Sequence, residues 1–151
     1  MLERAIISTI TCTGQEDVYR VEGVTPVRLF TALAEAQVNV DTIVISGGCV
    51  VYSAPPKDRP VSKRALKTLG VAWSRLDSLS RVVITGAGIK SHPEIAAQVF
   101  VVLAELHICP ELISTSPIQI ACHIVAQDTQ RALQALRATF ELENPLGVSY
   151  E

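Results

Sequence analysis

A glycine-rich loop between an apolar strand and a helical pattern is the first place where this sequence could carry chemistry. In the stretch GAGIKSHPEIAAQVF, Gly86 and Gly88 are separated by one residue. A dinucleotide-binding loop needs a third glycine where Ser91 stands. A P-loop ends in Gly-Lys-Ser/Thr, whereas Lys90 and Ser91 follow Ile89. The loop therefore matches neither phosphate-binding motif.

Cysteine and histidine could form a metal site or a nucleophile–base pair, but neither has the required spacing. Cys12, Cys49, Cys109 and Cys122 are scattered, without the paired short spacings of a structural zinc site. Cys122 and His123 would point to opposite faces of a strand, which disfavours a nucleophile–base pair. Apolar neighbours favour reduced, mostly buried thiols over a metal site. We expect no metal and no other cofactor.

Composition narrows the classes of partner. The 151 residues carry a formal net charge of −2, with 13 Lys and Arg against 15 Asp and Glu. A surface of this balance does not attract polyanions, so we expect no nucleic-acid partner. The N-terminal MLERAIISTI lacks a sustained apolar region before a cleavage site, and no apolar run reaches membrane-spanning length. We therefore expect a cytoplasmic protein without a membrane partner.

An internal repeat determines the expected architecture. Shifted by 70 residues, RLFTALAEAQVNVDTIVIS (28–46) lies over QVFVVLAELHICPELISTS (98–116) without a gap. The identical positions are Phe30/Phe100, Leu33/Leu103, Ala34/Ala104, Glu35/Glu105, Ile43/Ile113 and Ser46/Ser116. These identities lie on the apolar face of the predicted helix and at the boundaries of the helix and of the strand that follows it. A duplicated unit explains this better than two unrelated amphipathic helices.

Each copy shows the same order of elements. In the first copy the predicted elements are a strand at 17–24, a helix at 25–37 opened by Thr25 and Pro26, strands at 40–46 and 49–55, a helix at 60–70 closed by Gly70, and a strand at 71–78. This is the ferredoxin-like βαββαβ order. In the second copy they are a strand at 79–88, a helix at 91–107, strands at 111–117 and 118–126, and a helix at 128–142 capped by Asp128.

The second copy lacks its last strand, because the residues after its second helix contain Asn144, Pro145 and Gly147. We expect the N-terminal segment 4–12 to supply that strand, which inserts the first unit into the second. The predicted fold is α+β, with a first unit at 16–80 and a second unit at 1–15 and 81–143. Residues 144–151 are a C-terminal tail.

This tandem, with an acidic-x-Ile-x-x-Ser strand in each unit, resembles a pair of ACT domains. More closely, the chain resembles the regulatory portion of aspartate kinase. The resemblance is carried by ERAIIST, NVDTIV, GAGIKSHPEIAAQVF, ELISTSPIQIACHI and ALRATFEL. The lysine-phenylalanine-glycine-glycine signature of the kinase portion has no counterpart here. The resemblance implies a regulatory subunit or domain that is not an enzyme, with an aspartate kinase catalytic subunit as a candidate partner.

The resemblance also implies effector-contacting positions in both units. They are Val24, Thr25, Asp41 and Ile45 in the first, and Ile89, Lys90, Ser91, His92, Pro93, Glu111, Ser114, Thr115 and Ser116 in the second. The implied effector is a small amino acid, lysine or threonine, bound at ACT interfaces for feedback control of amino-acid biosynthesis. The loop glycines would bring backbone amides near its carboxylate. Alternatively, Gly86 and Gly88 only allow a tight turn.

Departures from the family pattern are concentrated in the first unit. Its loop before Thr25 is shorter, and Ile45 stands where the family has a glutamine that contacts the effector. In the second unit Glu94 replaces a glycine, and its charge would repel a carboxylate. Residual binding should therefore depend on 89–93 and 114–116, with Asp41 as the ammonium partner. Alternatively, Asp41 and Glu111 are solvated acids, and 114–116 is a strand edge.

The apolar composition, 48% of residues, implies surplus apolar surface. ACT units pair between chains in the family, so we expect a homodimer. The alternative function is an ACT assembly module that dimerises without binding an amino acid. An enzyme is the third hypothesis, and the sequence has no nucleophile–base constellation to favour it.

Overall fold

The computed structural model describes residues 6–141, and its elements follow the predicted order. They are β1 (Ile6–Glu22), α1 (Pro26–Glu35), β2 (Ile43–Ser46), β3 (Cys49–Ala54), α2 (Arg59–Leu69), β4 (Ala72–Ala87), α3 (Pro93–Glu105), β5 (Leu112–Ser116), β6 (Gln119–Ile124) and α4 (Thr129–Thr139). Residues 4 and 5 of the predicted N-terminal strand, residue 142 of the last helix and the tail at 144–151 lie outside the described residues. None of the described helices is long and apolar enough to cross a membrane. The predicted fold class, α+β with one βαββαβ unit inserted into the other, is confirmed.

The first unit, Gln15–Leu79, has the strand order β2-β3-β1-β4. β3 is antiparallel to β1 and β2, and Tyr19 lies opposite Tyr52 in the ladder. Their rings stack with centroids 4.6 Å apart. Leu33 of α1 and Leu66 of α2 pack into the same buried cluster. Both helices therefore cover the face of the sheet that carries the two tyrosines.

The second unit combines Met1–Gly14 with Ser80–Glu151, and its strand order is β1-β4-β6-β5. Ile84 of β4 lies opposite Ile120 of β6 in an antiparallel ladder. Val99 of α3 and Leu136 of α4 pack onto these residues. Ile10 of β1 belongs to the same cluster and is 1% exposed. The N-terminal part of β1 is therefore an integral strand of this unit.

Two strands are longer than the sequence predicts. Segments expected as separate strands form the continuous β1 and β4. Each contains one residue with a positive φ near the unit boundary, Gly14 at 130° and Ser78 at 52°. Neither residue ends its strand.

The predicted repeat is reproduced in the backbone geometry. Gln37 and His107 follow α1 and α3, and both have φ of 58°. Hydrogen bonds of the first unit recur in the second unit between residues that stand 70 positions later in the sequence. They are Val38 N to Leu33 O and Ile108 N to Leu103 O, both 2.9 Å, with Asp41 N to Ser53 O at 2.9 Å and Glu111 N to His123 O at 2.8 Å. The duplicated sequence therefore encodes a duplicated fold.

The helix ends show where local prediction succeeds and fails. Thr25 Oγ1 accepts a hydrogen bond from Arg28 N at the start of α1, and Gly70 ends α2 with φ of 67°, as predicted. The predicted cap by Asp128 is wrong. Asp128 has φ −93° and ψ −2°, whereas a capping residue needs extended dihedrals. Its carboxylate instead accepts a hydrogen bond from Arg131 Nη2 at 2.9 Å.

The four cysteines are free thiols, but the prediction that they are mostly buried is wrong. Cys122 is buried, Cys12 and Cys49 are half-buried, and Cys109 is exposed. Cys109 lies in the turn that precedes β5, where an apolar sequence neighbourhood does not lead to burial. Within residues 6–141, no group of three or more His, Cys, Asp or Glu residues is placed to hold a metal ion.

Candidate small-molecule site of the second unit

A cavity of about 390 Å³ lies beside the glycine loop of the second unit. Its walls come from the turn after β4, the first turns of α3, the end of β5 and the start of β6. The lining residues are Ile89, Lys90, Ala96, Thr115, Ser116, Pro117 and Ile120. The volume falls in the range of roughly 300–1,000 Å³ that is typical of sites for small molecules.

The glycine loop forms one wall and is held by its own hydrogen bonds. Gly88 has φ of 74°, which lets the chain turn sharply into a single 3-10 turn, Ile89–Ser91. The Gly88 carbonyl accepts from Ser91 N at 3.1 Å and from His92 Nδ1 at 2.7 Å. Ile89 is 7% exposed and anchors the turn in the core, while Lys90 is exposed at the cavity. The loop therefore fixes the backbone from which the lysine extends.

The opposite wall is the hairpin between β5 and β6. Thr115 lies opposite Ile120 in the ladder, so both residues reach the same end of the cavity. Ser116 Oγ accepts a hydrogen bond from Ile118 N at 3.4 Å, which closes the turn. Gly86 N donates to Ile118 O at 2.9 Å and attaches the hairpin to the glycine loop. The two walls are therefore joined directly.

The lining combines one cation, two hydroxyls and an apolar surface. Of the lining residues that the structure describes, only Lys90 carries a charge, and Thr115 and Ser116 supply the hydroxyls. The apolar residues are Ile89, Ala96, Pro117 and Ile120. No histidine, cysteine or carboxylate from the described part of the chain belongs to this set. The arrangement suits binding of a small molecule with an anionic group and an apolar body.

The structure brings together four of the predicted second-unit residues, Ile89, Lys90, Thr115 and Ser116, at this cavity. The other predicted residues of this unit are not among the described lining residues. Ser91 and His92 close the loop by hydrogen bonds, and Pro93 begins α3. Ser114 is a half-buried residue of β5. Glu111 precedes β5, at the opposite end of that strand from Ser116.

The predicted first-unit residues do not belong to the described lining of this cavity. Val24 is buried in the core of that unit, and Thr25 caps α1. Asp41 is exposed just before β2, and Ile45 is exposed on β2. The described residues that line the cavity all belong to the second unit.

Sequence reasoning missed three lining residues, Ala96, Pro117 and Ile120. Each had a signal in the sequence. Ala96 stands three residues after Pro93, so a helix starting there directs it to the same side. Pro117 follows Ser116 directly in the hairpin, and Ile120 is the residue that pairs with Thr115. Only the pairing register of β5 and β6 could select Ile120 from its neighbours.

Comparison with known proteins identifies this part of the chain. The model of the ACT domain family matches residues 82–140, which include every residue that lines the cavity. Residues 82–140 form an ACT domain. The chain matches the regulatory part of aspartate kinases over 93% of its length in a sequence relative and 90% in a solved structure, so the predicted resemblance is confirmed.

Individual relatives show how far the similarity extends. The aspartokinase of Corynebacterium efficiens is 28% identical over 93% of this chain, and the chain spans 38% of the length of that relative. A crystal structure of aspartokinase alpha and beta subunits contains a chain with 26% identity and a TM-score of 0.82, with 90% of this chain and 99% of that chain covered. The regulatory subunit of aspartate kinase from Thermus flavus has 22% identity and a TM-score of 0.82, with coverage of 89% and 99%, and supports the fold alone.

Proposed function

We propose that this chain is the non-catalytic regulatory part of an aspartate kinase, and that its second-unit ACT domain binds a small amino acid for feedback control of amino-acid biosynthesis. One observation carries the proposal. The cavity lies where the glycine loop and the Ser-Thr-Ser strand meet, and the resemblance to aspartate kinase had assigned effector contacts to both segments.

The chemistry of the cavity fits an amino acid. The Lys90 ammonium would hold the α-carboxylate, and the N-terminus of α3 would add to the positive potential. Hydroxyl oxygens of Thr115 and Ser116 would accept hydrogen bonds from the α-ammonium. Lysine and threonine are the first effectors to test, because the resemblance to aspartate kinase implies them.

Two protein partners belong to the proposal. An aspartate kinase catalytic subunit is one, supported by the match to the structure of aspartokinase alpha and beta subunits. A second copy of the chain is the other. It is supported by β2, an edge strand on which Ile43 and Ile45 are 49% and 54% exposed. A regulator of amino-acid biosynthesis with these partners would act in the cytoplasm.

Calorimetry with lysine, threonine and methionine tests the effector proposal. Replacing Lys90 with Met should weaken the binding of an effector by about ten- to hundred-fold, because a charge-assisted hydrogen bond is lost. Lys63→Met, on the exposed face of α2, is the matched control and should leave affinity unchanged. If no amino acid binds, the ligand-free assembly module becomes the better account.

Two further measurements test the partners. Purified chain added to a catalytic subunit should make kinase activity sensitive to the bound amino acid. Sedimentation should give a dimer at micromolar concentrations, and the double variant Ile43→Lys with Ile45→Lys should shift it toward monomer. A wild-type monomer of 16.3 kDa would contradict the dimer proposal.

A further inference from the structure

We infer that the cavity selects an amino acid with an uncharged aliphatic side chain and discriminates against lysine. This inference rests on the proposed function, namely that the cavity binds an amino acid, and names the class of side chain that it takes. It follows from the distribution of charge and apolar surface around the cavity.

The charge of the lining disfavours a dibasic ligand. Lys90 already provides the partner for the α-carboxylate, and among residues 6–141 no other charged side chain belongs to the lining. A lysine ligand would bring a second ammonium to the cavity, where it would lose part of its hydration and find no carboxylate among the described lining residues. The acids of the two elements that border the cavity, α3 and β5, do not belong to the described lining. Glu94 is exposed in the first turn of α3, and Glu111 precedes the far end of β5.

The apolar wall favours an aliphatic side chain. Ile89 and Ile120 are 7% and 2% exposed, so what they present to the cavity is the surface of a packed core. Ala96 and Pro117 extend this surface at either side. Each methylene that a ligand buries here should improve affinity by about four-fold. An aliphatic side chain on the ligand should therefore raise its affinity, whereas a charged side chain should lower it.

The hydroxyls serve the α-ammonium and leave little polar capacity for the side chain of the ligand. Ser116 Oγ already accepts from Ile118 N, which leaves it one further lone pair. Thr115 supplies the other hydroxyl. A hydroxyl on the ligand side chain would face the apolar wall and lose its water partners. Threonine should therefore bind less tightly than its isostere valine.

Two pairs of ligands with matched shape test the inference by calorimetry on the purified chain. Norleucine is lysine without its terminal ammonium, and valine replaces the hydroxyl of threonine by a methyl group. We expect norleucine to bind about ten- to hundred-fold more tightly than lysine, and valine more tightly than threonine. Lys90→Met should weaken norleucine binding by a similar factor, and Lys63→Met should not.

A variant with the reverse preference keeps the test independent of losses in stability. Pro117 is exposed in the hairpin turn and belongs to the apolar wall, so Pro117→Glu should fold, as circular dichroism would verify. Its carboxylate should raise the affinity for lysine relative to norleucine by at least about ten-fold.

Three outcomes would overturn the inference, and they are distinguishable. Wild-type protein that binds lysine more tightly than norleucine, with both sensitive to Lys90→Met, would refute the aliphatic preference and leave the proposed function intact. Norleucine binding that Lys90→Met leaves unchanged would place the site elsewhere. Absence of binding by any of the four amino acids up to about 10 mM would refute the proposed function together with this inference.

Discussion

Arg59 donates two hydrogen bonds to the carboxylate of Asp17, from Nε to Oδ2 and from Nη2 to Oδ1, each 2.8 Å long. The Asp17 side chain is fully buried, and the Arg59 side chain is 33% exposed. Ser78 N also donates to Asp17 Oδ1 at 2.8 Å. One buried carboxylate therefore joins β1, the start of α2 and Ser78, the residue of β4 that has a positive φ.

This contact predicts acid-sensitive stability. Burial by itself would raise the pKa of Asp17, but hydrogen bonds from Arg59 and Ser78, with the charges of Arg59 and Arg75, outweigh burial and lower the pKa below its ordinary value of 3.8. A carboxyl with a lowered native pKa contributes stability above its unfolded pKa, and that contribution is lost as pH falls through the native value. We expect the free energy of unfolding to fall below about pH 4.

Urea unfolding at about pH 6, 4 and 3 measures this dependence. Asp17→Asn should be less stable near neutral pH and should lose less stability than wild type on acidification. Arg59→Met should destabilise more than Asp17→Asn, because it leaves a buried carboxylate without its cation. Arg64→Met, exposed on the same helix, is the control. Equal pH slopes in wild type and Asp17→Asn would contradict the assignment.

A second prediction concerns the N-terminal strand of the second unit. Arg137 of α4 donates from Nε and Nη2 to Ile10 O, at 3.0 and 2.6 Å. Arg137→Met should lower the free energy of unfolding by about 1.5 to 3 kcal/mol, as expected for a charge-assisted hydrogen bond. Hydrogen exchange should accelerate mainly in 6–14 and 80–141. Gln130→Met, exposed on α4, is the control.

Deletion of residues 1–12 applies the same reasoning to the whole strand. It removes Ile10 from the second-unit core and should cause a larger loss of protection in 80–141 than in 15–79. Greater loss of protection in 15–79 would show that the N-terminal strand stabilises the first unit instead.

The thiols give a third prediction. Burial raises the pKa of the Cys122 thiol to about 11, so little thiolate forms near neutral pH. Cys109 is exposed. Iodoacetamide at about pH 8 should therefore label Cys109 early, and Cys122 only when urea unfolds the protein. Peptide mass spectrometry measures both sites in one sample, and early labelling of Cys122 in folded protein would contradict its burial.

The sequence predicts the architecture well because the signals for it are local and repeated. Periodicity, the Thr25 cap and the Gly70 helix end act within a few residues of the chain. The 70-residue repeat then fixes the order of the elements, and equivalent backbone hydrogen bonds follow. The residue type alone predicts Asp128 as a helix cap. This prediction fails because the turn before Asp128 gives it dihedral angles that a capping residue does not adopt.

Contacts between residues that are distant in sequence cannot be predicted from local sequence patterns. Nothing local marks Asp17 as the partner of Arg59, since they lie on different elements and meet only when α2 packs against β1. The cavity shows the same limit. The resemblance identifies its loop and its Ser-Thr-Ser strand. Ile120 belongs to the lining because the register of β5 and β6 places it opposite Thr115, and the sequence does not specify that register.

The last prediction separates the backbone strain of the glycine loop from its role in binding. Gly88 has φ of 74°, where a β-carbon costs about 1 to 2 kcal/mol. Gly48, in the hairpin between β2 and β3, has φ of 79°, and a β-carbon there would meet no atom within 4 Å. Gly88→Ala and Gly48→Ala should therefore lose similar stability in urea unfolding.

Their effects on binding should differ. The Gly88 carbonyl holds Ser91 N and His92 Nδ1, so a shift of this residue disturbs the turn that carries Lys90. Gly48 does not belong to the cavity. In calorimetry with norleucine, Gly88→Ala should weaken binding by about ten-fold or more, while Gly48→Ala should bind like wild type. If both variants lose stability equally and both keep wild-type affinity, Gly88 only provides a tight turn, and the loop backbone does not position the ligand.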